Sequence, residues 1–312
     1  MNLNFFDVLI NVLVLVCLCL PGYLLKKRKM VGESAVAAFS AVLIYVNQPF
    51  ITLSAFLNVT YEPALLGNIG LCALFSLLAQ ALMLLLVRLM FLKNRLPLSQ
   101  SGVLMFTSVF SNCGFMGIPV LKLLFPDNPE AIIYAAVFLV TFNLLVWTLG
   151  IWLLTGDTST ISFKSALLNP ACITLIIALP LFFFRVDLWE LCAPVAQGID
   201  LLGNMATPVS MLIMGLRLAD IPFKTLFSDR KVYGVALLKL VISPLLMFAL
   251  MLPFGIDPLV KGAMVLLMAM PSASIIMALC HTHGCDGGLA ARTMLVNSLL
   301  SVVTIPLAAL LI

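Results

Sequence analysis

Apolar runs of about 20 residues recur from one end of the chain to the other, and each can cross a hydrocarbon core roughly 30 Å thick. Of the 312 residues, 63% are hydrophobic and 10% are charged. A soluble domain carries about 25% charged residues. The sequence therefore predicts an all-α polytopic membrane protein whose functional site lies in or beside the bilayer.

Ten candidate transmembrane spans can be placed along the chain. They cover residues 6–25, 34–57, 64–90, 99–124, 131–154, 164–184, 192–217, 231–253, 258–280 and 288–311. Of the 17 Lys and Arg residues, the loops after odd-numbered spans and the adjoining helix ends hold thirteen, and the opposite side holds three. The positive-inside rule then predicts that both termini are extracytoplasmic, and we expect the protein in the plasma (inner) membrane.

Pairs of similar residues separated by nearly one distance suggest an internal repeat. The pairs are Pro21 with Pro180, Pro49 with Pro208, Pro119 with Pro271, and Asn143 with Asn297. They predict two five-helix repeats, residues 1–155 and 156–312. Because five is odd, the second repeat enters the membrane from the opposite side, as in many transporters. Chance alignment of prolines is the alternative explanation.

Two stretches place helix breakers in the middle of predicted spans: SNCGFMGIP, residues 111–119, and AMPSASII, residues 269–276. Irregular backbone at membrane depth is tolerated only where it is buried in protein or lines a polar cavity. The N-terminus of each new half-helix presents free N–H groups and a partial positive charge that suit a carboxylate. The pair predicts an anion-binding site, and simple packing kinks are the alternative.

SNCGFMGIP resembles the segment-four motif of the auxin efflux carrier family, which includes bacterial malonate- and malate-type carriers and the plant PIN-formed auxin exporters. Further similarities run in order along essentially the whole chain, among them GYLLKK, NQPFITLSAF, PVSMLIMGLRL, KLVISPLL and NSLLSVVTIP. The resemblance implies ten helices in two inverted repeats, with helices 4 and 9 broken and crossing, in a fold similar to the sodium–bile acid symporters. It also implies elevator-like transport of organic anions, with Asn112 as a substrate ligand and with Pro119 and Pro271 marking the crossover.

The candidate binding residues come from the two interrupted stretches and from nearby polar positions. They are Asn112, Ser111, Gly117, Pro119, Pro271, Ser272, Ser274, Asn143, Asn297 and Asn47. For the last three, interhelical hydrogen bonding is the alternative to a role in binding. Asp200 and Lys239 are candidates for ion coupling because an ionisable residue within the membrane is a functional candidate by default. Asp200 could instead lie in a wet outer vestibule, and Lys239 could snorkel to the cytoplasmic surface.

Several other kinds of site are disfavoured. The Cys and His residues of segment 280–285 are crowded into six consecutive positions, unlike the separated pairs of a zinc site, so no metal is expected. No P-loop or dinucleotide fingerprint is present, so neither a cofactor nor enzymatic activity is expected. The net charge of +4 follows from membrane topology and does not indicate nucleic-acid binding.

The sequence thus predicts a secondary active transporter of small organic anions, either mono- or dicarboxylates, including auxin-like acids. An anion channel and a ligand-sensing receptor that uses the same cavity are the alternatives. The expected partners are the organic anion and membrane lipid, while proton coupling and a homodimer stay open.

Overall fold

The computed structural model of the chain describes residues 5–32, 34–59, 62–91, 96–161, 164, 167–220 and 229–312. These residues form helices joined by short connections, and they contain no β-strand beyond one isolated bridge. The predicted all-helical polytopic architecture is confirmed.

Twelve helices are needed to describe the parts of the chain given above. They are α1 Phe5–Lys27, α2 Ser34–Leu57, α3 Pro63–Phe91, α4 Leu98–Val109, α5 Cys113–Leu124, α6 Glu130–Thr155, α7 Pro170–Phe183, α8 Leu188–Ala219, α9 Arg230–Met251, α10 Pro258–Ala269, α11 Ile276–His283 and α12 Gly287–Ala309.

Within the described ranges, seven helices are long and apolar enough to cross a membrane: α1, α2, α3, α6, α8, α9 and α12. Helices α5, α7 and α10 are apolar but shorter. The predicted spans 99–124 and 258–280 are each divided, into α4 and α5 and into α10 and α11 respectively. The breaks fall in the two stretches where the sequence places its helix breakers.

Three prolines inside helices are accommodated by a local widening of the helix. Pro49, Pro119 and Pro244 each come two residues after a π-helical segment. Proline has no N–H, and its ring clashes with the carbonyl four residues earlier, so a regular α-helix would be strained there. A single π-helical turn relieves this clash and lets the chain continue in the same direction.

Helices α1 and α8 approach each other so closely that only glycine fits at the contact. A Cβ atom on Gly22 would lie 2.2 Å from the carbonyl oxygen of Leu212, and one on Gly215 would lie 1.9 Å from that of Cys19. Both obstacles are backbone atoms, which cannot rotate away. This close contact holds α8 firmly against α1.

The helices differ in how much apolar surface they expose. Helix α6 is almost wholly buried between residues 131 and 142, and so is α10 between residues 260 and 269. By contrast, α3 leaves Leu85 and Leu89 more than half exposed, and α7 does the same with Ile176. Such large apolar surface suits lipid at the periphery of the bundle, while α6 and α10 form its centre.

Candidate functional site

The two interrupted stretches meet in the interior of the protein. Ser111 and Ser272 face each other in an antiparallel bridge. The Asn112 N–H donates to the Pro271 carbonyl at 2.7 Å, and the Ala273 N–H donates to the Phe110 carbonyl at 2.9 Å. Backbone groups freed from one helix are therefore satisfied by backbone groups freed from the other, and Pro271 is one of the paired residues. We call residues 110–112 and 270–275 the crossing.

The start of each second half-helix offers backbone donors at the crossing. The N–H groups of Gly114 and Phe115, at the start of α5, have no backbone carbonyl as acceptor among the described residues. The same holds for Ser274 and Ile275, which precede α11. Unpaired N–H groups at a helix N-terminus carry partial positive charge and form a natural anion-binding site.

A cavity of about 350 Å³ opens beside the crossing. It is lined by Ser40, Ile44, Tyr45, Gln48, Ser111, Asn112, Cys113, Gly114, Phe115, Leu139, Phe142, Asn143, Trp147, Leu168, Asn169, Pro170, Ala171, Arg217, Ala273, Ser274, Ile275 and Ala278. The four residues with free N–H groups are all in this set. Its volume lies within the range typical of small-molecule sites.

The charge of the cavity wall is positive. Among the described residues that line it, Arg217 is the one charged residue and no Asp or Glu is present. The Arg217 Nη1 donates to the Ser274 carbonyl at 3.1 Å, which holds the guanidinium against the crossing. Its Nε is buried without a hydrogen-bond partner, and no carboxylate in the described ranges pairs with it. A carboxylate ligand would supply both a hydrogen-bond acceptor for the Nε and a negative charge to pair with the guanidinium.

Arg217 is not among the binding residues predicted from the sequence. It lies near the C-terminal end of a predicted span, so it counts there among the basic residues of the cytoplasmic side. In the structure it lies on α8, and this helix packs across α2 and contacts the start of α5. No sequence pattern shows that the side chain turns inward to the crossing. The buried Nε and the bond to Ser274 identify it.

Four of the predicted binding residues do line the cavity: Asn112, Ser111, Ser274 and Asn143. The Asn112 side chain makes no hydrogen bond within the described ranges, so its amide is available to a ligand. Asn143 donates from Nδ2 to the Leu139 carbonyl at 2.8 Å, which leaves its Oδ1 available. Gln48, next to the predicted Asn47, also lines the cavity, close to Gly114.

Ser272 and Asn297 do not line this cavity, contrary to the prediction. Both side chains are fully buried. The Ser272 hydroxyl donates to the Thr107 carbonyl at 2.6 Å and accepts from the Asn297 Nδ2 at 2.6 Å. These bonds tie α12 and α4 to the crossing, so both residues stabilise the interrupted backbone. Asn143 and Asn297, predicted as equivalent, therefore have different surroundings.

Three more candidates are also absent from the cavity wall. Gly117 packs against α10, where an added Cβ would lie 2.7 Å from the Leu267 Cδ2 atom. Pro119 is buried near the start of the regular helix Ile118–Leu124, so it does not mark the crossing as predicted. Pro271 does mark it, through its bond to Asn112.

Asn47 is fully buried away from the cavity. It donates from Nδ2 to the Leu202 carbonyl at 2.9 Å, which joins α2 to α8. This is the interhelical alternative left open by the sequence. The cavity-lining amide of α2 belongs instead to the next residue, Gln48.

The two coupling candidates lie in different places. Asp200 is partly exposed and accepts hydrogen bonds from Ser54 and Asn58, near the C-terminal end of α2. It is not part of the cavity wall. Lys239 is fully buried, and its Nζ donates to the Ser111 Oγ at 2.6 Å. The snorkelling alternative for Lys239 is therefore wrong, because its ammonium ends at the crossing.

A polytopic helical protein with two interrupted helices that meet beside a positively lined cavity has the architecture of a membrane transporter. A sequence profile of the family described as membrane transport protein matches residues 7–309. The chain belongs to this family, and the resemblance to the auxin efflux carriers is confirmed.

Individual relatives agree with this assignment. An uncharacterized transporter of Methanothermobacter thermautotrophicus is 26% identical over 314 residues, and one of Methanocaldococcus jannaschii is 27% identical over 316 residues. Each alignment covers 96% of both chains. A protein of Rhizobium meliloti named "Putative malonate transporter" is 33% identical over 113 residues, which are 36% of this chain and 35% of that one.

Proposed function

We propose that the protein is a secondary transporter of small organic anions, with carboxylates as its substrate class, and that it binds them in the cavity beside the crossing. One observation carries the proposal: Arg217 and the free N–H groups of two half-helices line one cavity whose described wall contains no carboxylate. A carboxylate matches both kinds of donor. The malonate named for the Rhizobium relative belongs to this chemical class.

The proposal includes the finer architecture expected from the sequence. We propose ten membrane spans in two inverted repeats, residues 1–155 and 156–312, with both termini outside the plasma membrane. The cavity is lined by the middle of α2, by the N-terminal end of α7 and by the C-terminal end of α8. In this topology those ends lie on the cytoplasmic side, so the described conformation would face inward.

Transport would follow alternating access. The crossing would carry the anion past the other helices in an elevator-like movement and open the same cavity to the outside. Proton coupling is part of the proposal, with Asp200, which lies outside the cavity wall, as the candidate residue. A proton-coupled carrier would lose its response to an imposed pH gradient on Asp200→Asn. A homodimer is compatible with this scheme and is not required by it.

Counterflow in proteoliposomes tests the transporter proposal directly. Vesicles loaded with unlabelled malonate and diluted into labelled malonate should accumulate label transiently, because exchange through a carrier is faster than net flux. Vesicles loaded with a neutral solute are the control. With the membrane potential clamped at zero by equal potassium concentrations and valinomycin, an open anion channel would give no such overshoot, and absence of any carboxylate flux would contradict the proposal.

A further inference from the structure

The ammonium of Lys239 is surrounded by oxygen atoms in the interior of the protein. Its Nζ donates to the Ser111 Oγ at 2.6 Å, to the Ser243 Oγ at 3.1 Å and to the Met268 carbonyl at 3.1 Å. The Val109 carbonyl lies 3.5 Å away. The residue is 0% exposed, and no carboxylate in the described ranges forms an ion pair with it.

Two of these oxygens are carbonyls at helix ends, and the Met268 carbonyl also accepts from the Ser243 Oγ at 3.1 Å. Val109 is the last residue of α4, and Met268 is the residue before the last of α10. The final carbonyls of a helix have no intrahelical donor and carry partial negative charge. One cation therefore contacts the C-terminal ends of both first half-helices, α4 and α10.

Carbonyl oxygens at half-helix C-termini, together with hydroxyl oxygens, are the ligands that transporters use to bind a coupling cation. We propose that the Lys239 ammonium is a built-in monovalent cation of the crossing. This ammonium is covalently attached to the protein through the lysine side chain. It occupies the position where the ends of the two half-helices would otherwise need a cation from solution. The protein would then need no sodium ion to assemble its crossing, whatever the transported substrate is.

Removal of the Lys239 side chain should make its site accessible to a small cation from solution. Ser111 contacts Lys239 through its hydroxyl and also lines the cavity beside the crossing. A shortened side chain at position 239 would leave a vacant space next to that wall, with four oxygen atoms still in place. Ammonium has the charge and the hydrogen-bonding geometry of the group removed.

The test is the apparent melting temperature of the purified full-length protein in choline, sodium, potassium and ammonium chloride at equal ionic strength. The parent should melt at the same temperature in all four salts, because its site is filled. Lys239→Ala should melt about 5 °C or more below the parent in choline and regain most of that loss in ammonium. Lys239→Met, which fills the space without a charge, should be destabilised and show no such recovery.

A matched control comes from the same helix. Lys231 is exposed at the start of α9, and its Nζ bonds to the Gln100 Oε1 at 3.1 Å. Lys231→Ala should melt near the parent in every salt.

The proposal is overturned by a sodium-specific stabilisation of the parent, by a folded Lys239→Ala that ammonium does not restore, or by Lys239→Met as stable as the parent. If Lys239→Ala does not fold, the melting temperatures of the parent and of Lys239→Met in the four salts test the proposal. None of these readouts depends on transport, so their failure would leave the proposed substrate class untouched.

Discussion

Asn112 and Pro271 are joined by a hydrogen bond of 2.7 Å from the backbone N–H of one to the backbone carbonyl of the other. The bond links two helices that are each interrupted at the same point. It uses only main-chain atoms, so the Asn112 side chain stays available in the cavity. The structural role of this residue and its proposed role in binding can therefore be separated by mutation.

Asn112→Ala should weaken carboxylate binding by about 2- to 10-fold, because one neutral hydrogen bond contributes roughly 0.5–1.5 kcal/mol. Its melting temperature should stay close to that of the parent, since the backbone bond to Pro271 does not need the side chain. Titration of malonate by thermal shift or by radioligand binding checks both quantities. Unchanged affinity in the variant would remove Asn112 from the site.

Arg217→Gln should weaken binding of carboxylates by about 10- to 100-fold, because it removes a charge-assisted hydrogen bond of roughly 1.5–3 kcal/mol. Arg217→Lys keeps the charge but loses the planar pair of donors. Its affinity for carboxylates should therefore lie between that of the parent and that of Arg217→Gln. Equilibrium binding to protein in nanodiscs gives the three dissociation constants. Equal constants for the parent and Arg217→Gln would show that the guanidinium does not contact the substrate.

Alanine substitutions of Asn143 and Asn297 should have different effects: one should change substrate affinity and the other should change stability. Asn297→Ala removes the donor to Ser272 in a fully buried place, so it should cost about 1–2 kcal/mol of stability and lower the melting temperature by roughly 2–5 °C, with unchanged affinity. Asn143→Ala should reduce affinity and leave stability nearly unchanged. The two variants serve as controls for each other. A large affinity loss in Asn297→Ala alone would contradict this division.

Gly215→Ala should prevent normal folding, because its methyl group would collide with the Cys19 carbonyl oxygen and force α1 away from α8. We expect a loss of at least about 3 kcal/mol, near the upper end for overpacking. Gly70→Ala is the matched control, since an added Cβ there meets nothing within 4 Å. Monodisperse yield and melting temperature measure the effect. A well-folded Gly215→Ala protein would contradict the close packing of α1 on α8.

The membrane class, the helical fold and the two interruptions could be predicted from the sequence, because they follow from local properties. Hydrophobic length predicts spans, and Gly and Pro in SNCGFMGIP indicate a break. The exact place of the break could not be read in the same way. Pro119 is accommodated by a π-helical turn inside α5, whereas the backbone pairing begins at Ser111.

The division of polar residues between cavity and interior could not be predicted from one sequence. Asn47 and Gln48 are neighbours in the chain, yet one is buried against α8 and the other lines the cavity. Likewise, Ser272 and Ser274 differ by two positions, and Ser272 alone is fully enclosed. Which side faces the cavity depends on the packing of other helices, which a local pattern does not contain.

The position of a bound carboxylate would show whether the cavity beside the crossing is the substrate site. A structure of the full-length protein with bromomalonate, whose bromine gives an anomalous signal, would place the ligand without ambiguity. We predict a bromine peak in the cavity beside the crossing, with a carboxylate within hydrogen-bonding distance of Arg217 and of the Gly114 or Ser274 N–H group. A ligand bound elsewhere in the protein, with this cavity empty, would contradict the account.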